Sequence, residues 1–119
     1  MNTWDVAKKW KEMCEQGKNL ECINELYAEN VISKEMPGMG EDVIGKQNVW
    51  NKSKDWLESV EAFHASEIGE PIVAGNFFTA KMGFDCTFKE RGRQKMEEVC
   101  VYEVKDGKIT SEQYFYSME

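Results

Sequence analysis

Glu98 shares its alternation class with Cys100, Tyr102 and Val104, so a strand through these residues turns a carboxyl group toward an apolar interior. An inward carboxyl without a cationic partner has a raised pKa and can donate a proton near neutrality. The other reading makes Glu97 and Glu98 a solvated strand end. Glu35 follows Lys34 just before a Pro37-Gly38-Met39-Gly40 segment, either as a pocket carboxylate or as an exposed one at a strand's end. His64, the only histidine, and Asp85 form a second polar pair. A strict two-residue turn at Gly75-Asn76 sets Ser66 opposite Asp85 and His64 opposite Thr87, all away from any pocket. A β-bulge at Gly69 or Pro71 adds one residue and flips His64 and Ser66 inward. No serine–histidine–acid arrangement follows from this spacing.

Other chemistries find no support in the residues. The four cysteines, Cys14, Cys22, Cys86 and Cys100, form no C-x-x-C pair and no metal-ligand spacing with His64, so no metal site is expected. They read as small core residues in a reducing, cytoplasmic setting. There is no glycine-rich phosphate loop or nucleotide fingerprint, so no cofactor is expected. Fifteen basic residues against twenty-two acidic ones give a net charge of −7, a field that repels phosphate backbones and anionic membranes. Neither nucleic acid nor membrane is an expected partner. Lys89, Arg91, Arg93 and Lys95, interrupted by Glu90 and Gly92, read as a solvated hairpin tip. No apolar run approaches the roughly 18 residues of a membrane span, and the start lacks a signal segment.

The elements that must position these residues follow from periodicity. The 119 residues make one domain, 1–119, able to bury roughly two-thirds of its unfolded surface. Thr3 reads as an N-cap; Trp4, Ala7, Trp10, Met13 and Cys14 then recur at helical spacing until Gly17. Asn19 reads as the cap of a shorter helix with Leu20, Ile23, Leu26 and Tyr27 on its apolar face. A short strand over 31–36 leads into the loop at 37–40. A third helix follows Gly45, its inner stripe Val49, Trp50, Ser53, Trp56, Leu57 and Val60. From about Ala62 the period becomes two. Phe78, Ala80, Met82, Phe84, Cys86 and Phe88 fall on one strand face, and hairpin signals stand at Gly75-Asn76, Arg91-Gly92 and Asp106-Gly107. Four antiparallel strands are expected, near 62–73, 77–89, 95–105 and 108–117. Helices first and a strand meander after them make an α+β order, with the helices on one sheet face.

This order resembles the nuclear transport factor 2-like superfamily, and within it the SnoaL-like domains, related to ketosteroid isomerase and polyketide cyclases. The residues that carry the resemblance are Leu26-Tyr27-Ala28-Glu29-Asn30-Val31, Pro37-Gly38 and Gly45. Toward the end they are Val101-Tyr102-Glu103-Val104-Lys105-Asp106-Gly107-Lys108-Ile109 and Glu112-Gln113-Tyr114-Phe115-Tyr116. The resemblance implies a cystatin-like cone, three helices over a curved antiparallel sheet around one pocket. It places Glu35 where the isomerases carry their general base and brings Glu98 nearest to a second oxyanion acid. The place of the isomerase tyrosine on the first helix is taken by Trp10, whose indole N–H can donate a hydrogen bond but is no acid.

Trp10, Trp50 and Trp56, with Trp4, either line an apolar ligand cavity or form ordinary core. Phe84 and Tyr102 lie on the strand faces turned toward it. A two-residue turn at Asp106-Gly107 puts Gln113 and Phe115 on the face of Glu98, and a bulged turn puts Tyr114 and Tyr116 there. Bulky residues on both faces of the last strand suggest a homodimer through the sheet. Two functions fit. One is a cofactor-free acid–base enzyme acting on a carbonyl-bearing, apolar small molecule through Glu35 and Glu98. The other is a non-catalytic module that binds a small apolar ligand or dimerises.

Overall fold

In the computed structural model, which describes residues 1–117, three helices pack on one face of a mixed seven-stranded sheet. The first helix, α1 (Thr3–Glu15), is capped by Asn2 rather than Thr3. The Asn2 side chain accepts from the Asp5 N–H at 2.9 Å, and the Asp5 carboxylate accepts from the Asn2 N–H at 3.1 Å. This reciprocal box satisfies two orphan donors, a contribution of about 1 kcal/mol. Its inward stripe is Val6, Ala7, Trp10 and Met13, while Trp4 is 50% exposed and leaves the expected core.

Helix α2 (Asn19–Leu26) begins after Lys18 with no side-chain cap, so Asn19 is its first residue and not its cap. Tyr27, expected on this helix, instead opens strand β1 (Tyr27–Lys34), which replaces the shorter 31–36 segment. A two-residue strand β2 (Val43–Ile44) pairs with β1 and precedes α3 (Lys46–Ser59). On α3 only Val49 is fully buried; Ser53, Trp56 and Leu57 are half-buried because their flank borders a cleft, and Trp50 is half-buried outside it.

The expected 62–73 strand is two, β3 (Val60–Ile68) and β4 (Ile72–Ala74). Both pair with β5 (Phe77–Phe88). Long hairpins then join β5 to β6 (Gly92–Lys105) and β6 to β7 (Lys108–Phe115). The order across the sheet is β2-β1-β7-β6-β5-β3, with β4 also on β5. The antiparallel expectation fails at one seam. Strand β1 runs parallel to β7, with Ser33 opposite Glu112 and Lys34 opposite Gln113. The chain crosses the whole sheet between these two strands, and only a parallel return brings the end of β1 beside the end of β7.

Two register shifts decide which side chains face the helices. Ala74 pairs with Phe77 and Ile72 with Thr79, but Ile68 pairs with Met82, one residue out of step with a continuous hairpin. Gly69 and Pro71 absorb the extra residue, as a bulge there requires. At the other end, Asp106 (φ 51°) and Gly107 (φ 74°) form the tight turn joining Lys105 to Lys108. Val104 pairs with Ile109, yet Glu103 pairs with Ser111, so Thr110 is a single bulged residue. From there on, Glu112 and Tyr114 share the inner face with Tyr102 and Cys100, and Gln113 falls opposite Val101 on the outer face.

The core joins the inner residues of α1 and α2 to those of β5, β6 and β7. Trp10 meets Phe78 and Tyr102 at ring-centroid distances of 5.5 and 5.1 Å, and Phe78 stacks on Tyr102 at 4.6 Å. Cys22, Cys86 and Cys100 are buried free thiols and Cys14 is half-buried. No described helix is long and apolar enough to cross a membrane.

Candidate functional site

Between the helices and the free half of the sheet lies an open cleft of about 670 Å³. Of the expected site residues, Glu35, Glu98, Trp10, Trp56, Phe84, Tyr102 and Tyr114 line it. Trp50, His64 and Gln113 do not. The Trp50 indole N–H is buried without a hydrogen-bond partner, and its ring lies beside the Lys54 ammonium at 5.6 Å. Gln113 is on the opposite sheet face because of the Thr110 bulge.

His64 is corrected by a second irregularity. The bulge at Gly69–Pro71 does bring Ser66 opposite Phe84, on the inner face, where it remains exposed. A further shift between Phe63 and Ala65 then leaves His64 as the extra residue. Its Nε2 lies 2.7 Å from Thr87 Oγ1, outside the cleft. Asp85 belongs to the same outer face, where Arg93 donates to both of its oxygens at 3.0 and 2.9 Å and holds its pKa below the usual value. The outer triad of His64, Thr87 and Asp85 therefore faces away from any ligand held by the helices.

Glu98 lies opposite Met82 on the inner face, in the alternation class of Cys100 and Tyr102. Burial, followed by the nearby charge of Glu35, pushes its pKa up to about 7. The Cys100 thiol faces it at 3.8 Å. Glu35 stands one residue beyond β1 and continues the inward alternation of Val31 and Ser33, both fully buried. Its carboxylate forms an ion pair with Lys52 of α3. Lys52 Nζ also reaches Ser33 Oγ at 3.5 Å. Glu35 is thus a charge-matched carboxylate, and Glu98 is one that burial favours in its neutral form.

Below the ion pair is a polar cluster absent from the sequence reading. Glu112 is 2% exposed. It accepts hydrogen bonds from Tyr27 Oη and from Ser33 Oγ, the latter at 2.6 Å. Tyr114 lies two residues further along the same inner face. Burial and the Glu112 charge hold the Tyr27 and Tyr114 phenols well above their usual pKa. All four tyrosines of the chain, Tyr27, Tyr102, Tyr114 and Tyr116, line the cleft. Lys52 carried one signal in the sequence: it lies three residues after Val49 and four before Trp56, on the inward side of its helix. Glu112 carried none until the Thr110 bulge was known.

Aromatic and sulfur side chains complete the walls. Trp56 packs on Phe84 at 5.6 Å and on Phe88 at 5.9 Å, and Met82 and Met96 border the same space. Arg91 and Lys95, from the hairpin tip and β6, stand at the rim, with the Arg91 guanidinium 4.1 Å from the centre of the Phe88 ring. Among the described residues no three histidine, cysteine, aspartate or glutamate side chains gather as a metal-holding group. A carboxyl near neutrality, a paired carboxylate and an aromatic enclosure suit proton transfer on an apolar molecule.

Comparison with known proteins agrees with this architecture. The family model described as "SnoaL-like domain" matches residues 1–116. A crystal structure from Mesorhizobium loti, provisionally described as a SnoaL-like polyketide cyclase and also as a carbohydrate phosphatase, is 36% identical. It superposes with a TM-score of 0.90, covering 98% of this chain and 100% of that one. A protein of unknown function with a cystatin-like fold from Xanthomonas campestris is 20% identical, with a TM-score of 0.81 over 99% of this chain and 92% of its own. A ketosteroid isomerase-like fold from Catenulispora acidiphila, solved with trimethylamine, is 18% identical, with a TM-score of 0.76 over 98% and 88%. No curated protein matches the chain.

Proposed function

The chain belongs to the SnoaL-like domain family, and from that membership we propose a cofactor-independent acid–base enzyme of the isomerase or cyclase type. Its substrate is a carbonyl-bearing, largely apolar small molecule held in the single cavity of a cone. One observation carries the reading: Glu35 and Glu98 line the same cleft, and burial raises Glu98 to about pH 7. Two carboxyl groups with environments this different divide the roles of base and acid between them.

In the proposed step, Glu35 takes a proton from the carbon next to the carbonyl while Glu98 delivers its proton to the carbonyl oxygen. An enol results. Return of a proton from Glu35 to another carbon, with Glu98 recovering its own, completes an isomerisation with no net proton change. Trp10, Trp56 and Phe84 would hold the apolar body and keep water from the reacting carbon. The Mesorhizobium loti relative supports a cyclase-type reading through its own description. The Glu35–Lys52 ion pair favours a second reading, a non-catalytic binder, because the carboxylate's charge already has a partner.

Exchange of substrate α-hydrogens in D₂O, followed by proton NMR over a panel of aryl and alicyclic ketones, separates the two. Enzymatic exchange is expected with at least one ketone, with a loss of about a hundredfold or more in Glu35→Gln and in Glu98→Gln. Ketone binding without exchange, equal in wild type and both variants, establishes the binder instead.

We also propose a homodimer through the outer sheet face. Val99 and Phe115 are opposite one another on that face, 46% and 36% exposed, with Phe77 49% exposed on β5. Burying such side chains between two copies would remove them from water.

A further inference from the structure

We propose that Glu112 sets the polarity of the cleft at Tyr27: it holds the hydroxyl hydrogen of this lining tyrosine, leaves its oxygen to accept, and so selects a ligand that carries a hydroxyl or amino hydrogen. The carbonyl part of that ligand rests on the function proposed above; the donor preference does not.

The argument begins with the proton inventory of a phenol. Each tyrosine oxygen has one hydrogen and lone pairs that accept. An ionised carboxylate has no hydrogen and only accepts. The Tyr27 hydrogen is committed to Glu112 Oε1, and the Ser33 hydrogen to Oε2 at 2.6 Å. Tyr27 lines the cleft, and its hydroxyl hydrogen therefore points into the protein. Its remaining lone pairs are what a ligand meets.

Glu112 enforces this direction because each of its two oxygens has one hydrogen-bond donor, Tyr27 on Oε1 and Ser33 on Oε2. It is buried beneath the cleft, and Lys52, the cation of this cluster, reaches Ser33 Oγ at 3.5 Å while paired with Glu35. Turning a tyrosine hydrogen outward would strip a hydrogen bond from a buried carboxylate, and hydrogen bonds to charged groups are among the more stabilising. The cleft thus keeps Glu98 as the donor for a carbonyl oxygen and offers the Tyr27 oxygen to a second group on the ligand. A site of this kind discriminates against analogues that lack the donor, because its acceptors are left unpaired.

Calorimetric titration with two matched pairs tests the inference. One pair is a hydroxylated acetonaphthone and its des-hydroxy parent; the other is 2-naphthol and naphthalene. Wild type is expected to bind the hydroxylated member of each pair about tenfold more tightly. The second pair has no carbonyl, so a donor preference seen there stands even where the carbonyl reading fails. Equal affinity within each pair, or no binding by the hydroxylated members, overturns the inference.

Variants locate the preference. Tyr27→Phe keeps the ring and removes the accepting oxygen, and is expected to reduce the preference to about threefold or less. The affinity for naphthalene should be unchanged in that variant. Glu112→Gln replaces an acceptor by a group that also donates, and should shrink the preference in the same way. A purely structural role for Glu112 would weaken both members of a pair alike. Preference retained in both variants overturns the assignment.

Discussion

Replacing Glu98 by glutamine offers a test of the site that needs no substrate. The folded-state pKa of Glu98 is about 7 against an ordinary value of 4.5, chiefly because burial penalises the charged form. The difference of roughly 2.5 units, at about 1.36 kcal/mol each, amounts to about 3 kcal/mol. Below pH 4.5 the group is neutral in both the folded and the unfolded chain. As the pH rises, the unfolded chain loses its proton first, and the folded chain follows near pH 7. The stability contributed by the retained proton is fully present below pH 4.5 and is lost as the pH rises through 7. Glutamine has no such dependence. The unfolding free energy of Glu98→Gln minus that of wild type should therefore increase by about 3 kcal/mol between roughly pH 4 and pH 8.5, with the variant gaining at high pH. Urea unfolding followed by tryptophan fluorescence at several pH values measures it, and the subtraction removes groups that titrate alike in both proteins. A difference that stays within about 0.5 kcal/mol over that range would refute the buried-carboxyl account.

Two further outcomes concern the frame around the site. Gly107→Ala should cost about 1–2 kcal/mol in thermal or urea unfolding, since its φ of 74° is left-handed and an added Cβ would lie 3.2 Å from the Met1 carbonyl oxygen. Val99→Glu should convert the proposed dimer to monomer in analytical ultracentrifugation while leaving the circular dichroism spectrum unchanged; a wild-type monomer would remove the outer face as an interface.

Periodicity made much of the fold legible, because Trp10, Met13 and Val49 recur at helical spacing and Phe78 to Phe88 at strand spacing. The hairpins at Gly75-Asn76 and Asp106-Gly107 carry their turn chemistry in two residues each. The parallel pairing of β1 with β7 was not legible, since no local pattern states which distant strand will be a neighbour. Trp4 misled for a different reason: helical spacing identifies a stripe, but the edge of a stripe can face solvent. In the site, Glu98 was readable because its strand alternates without interruption from Gly92 to Glu103. His64, Gln113 and Glu112 were not, because each lies at or beyond a one-residue shift. A glutamate between Ser111 and Gln113 looks solvated until the bulge turns it inward.

The Thr110 bulge has an evolutionary consequence. Thr110 is the residue left out of the ladder, so deleting it would keep Glu103 opposite Ser111 and Tyr102 opposite Glu112, and the wall of the cleft would keep its chemistry. Pulling Thr110 into the ladder with the chain length unchanged would instead turn Ser111 and Gln113 inward and Glu112 and Tyr114 outward. A relative that presents the same wall without the bulge therefore carries one residue fewer at this point. An ungapped alignment across it would match the wrong residues in every position that follows.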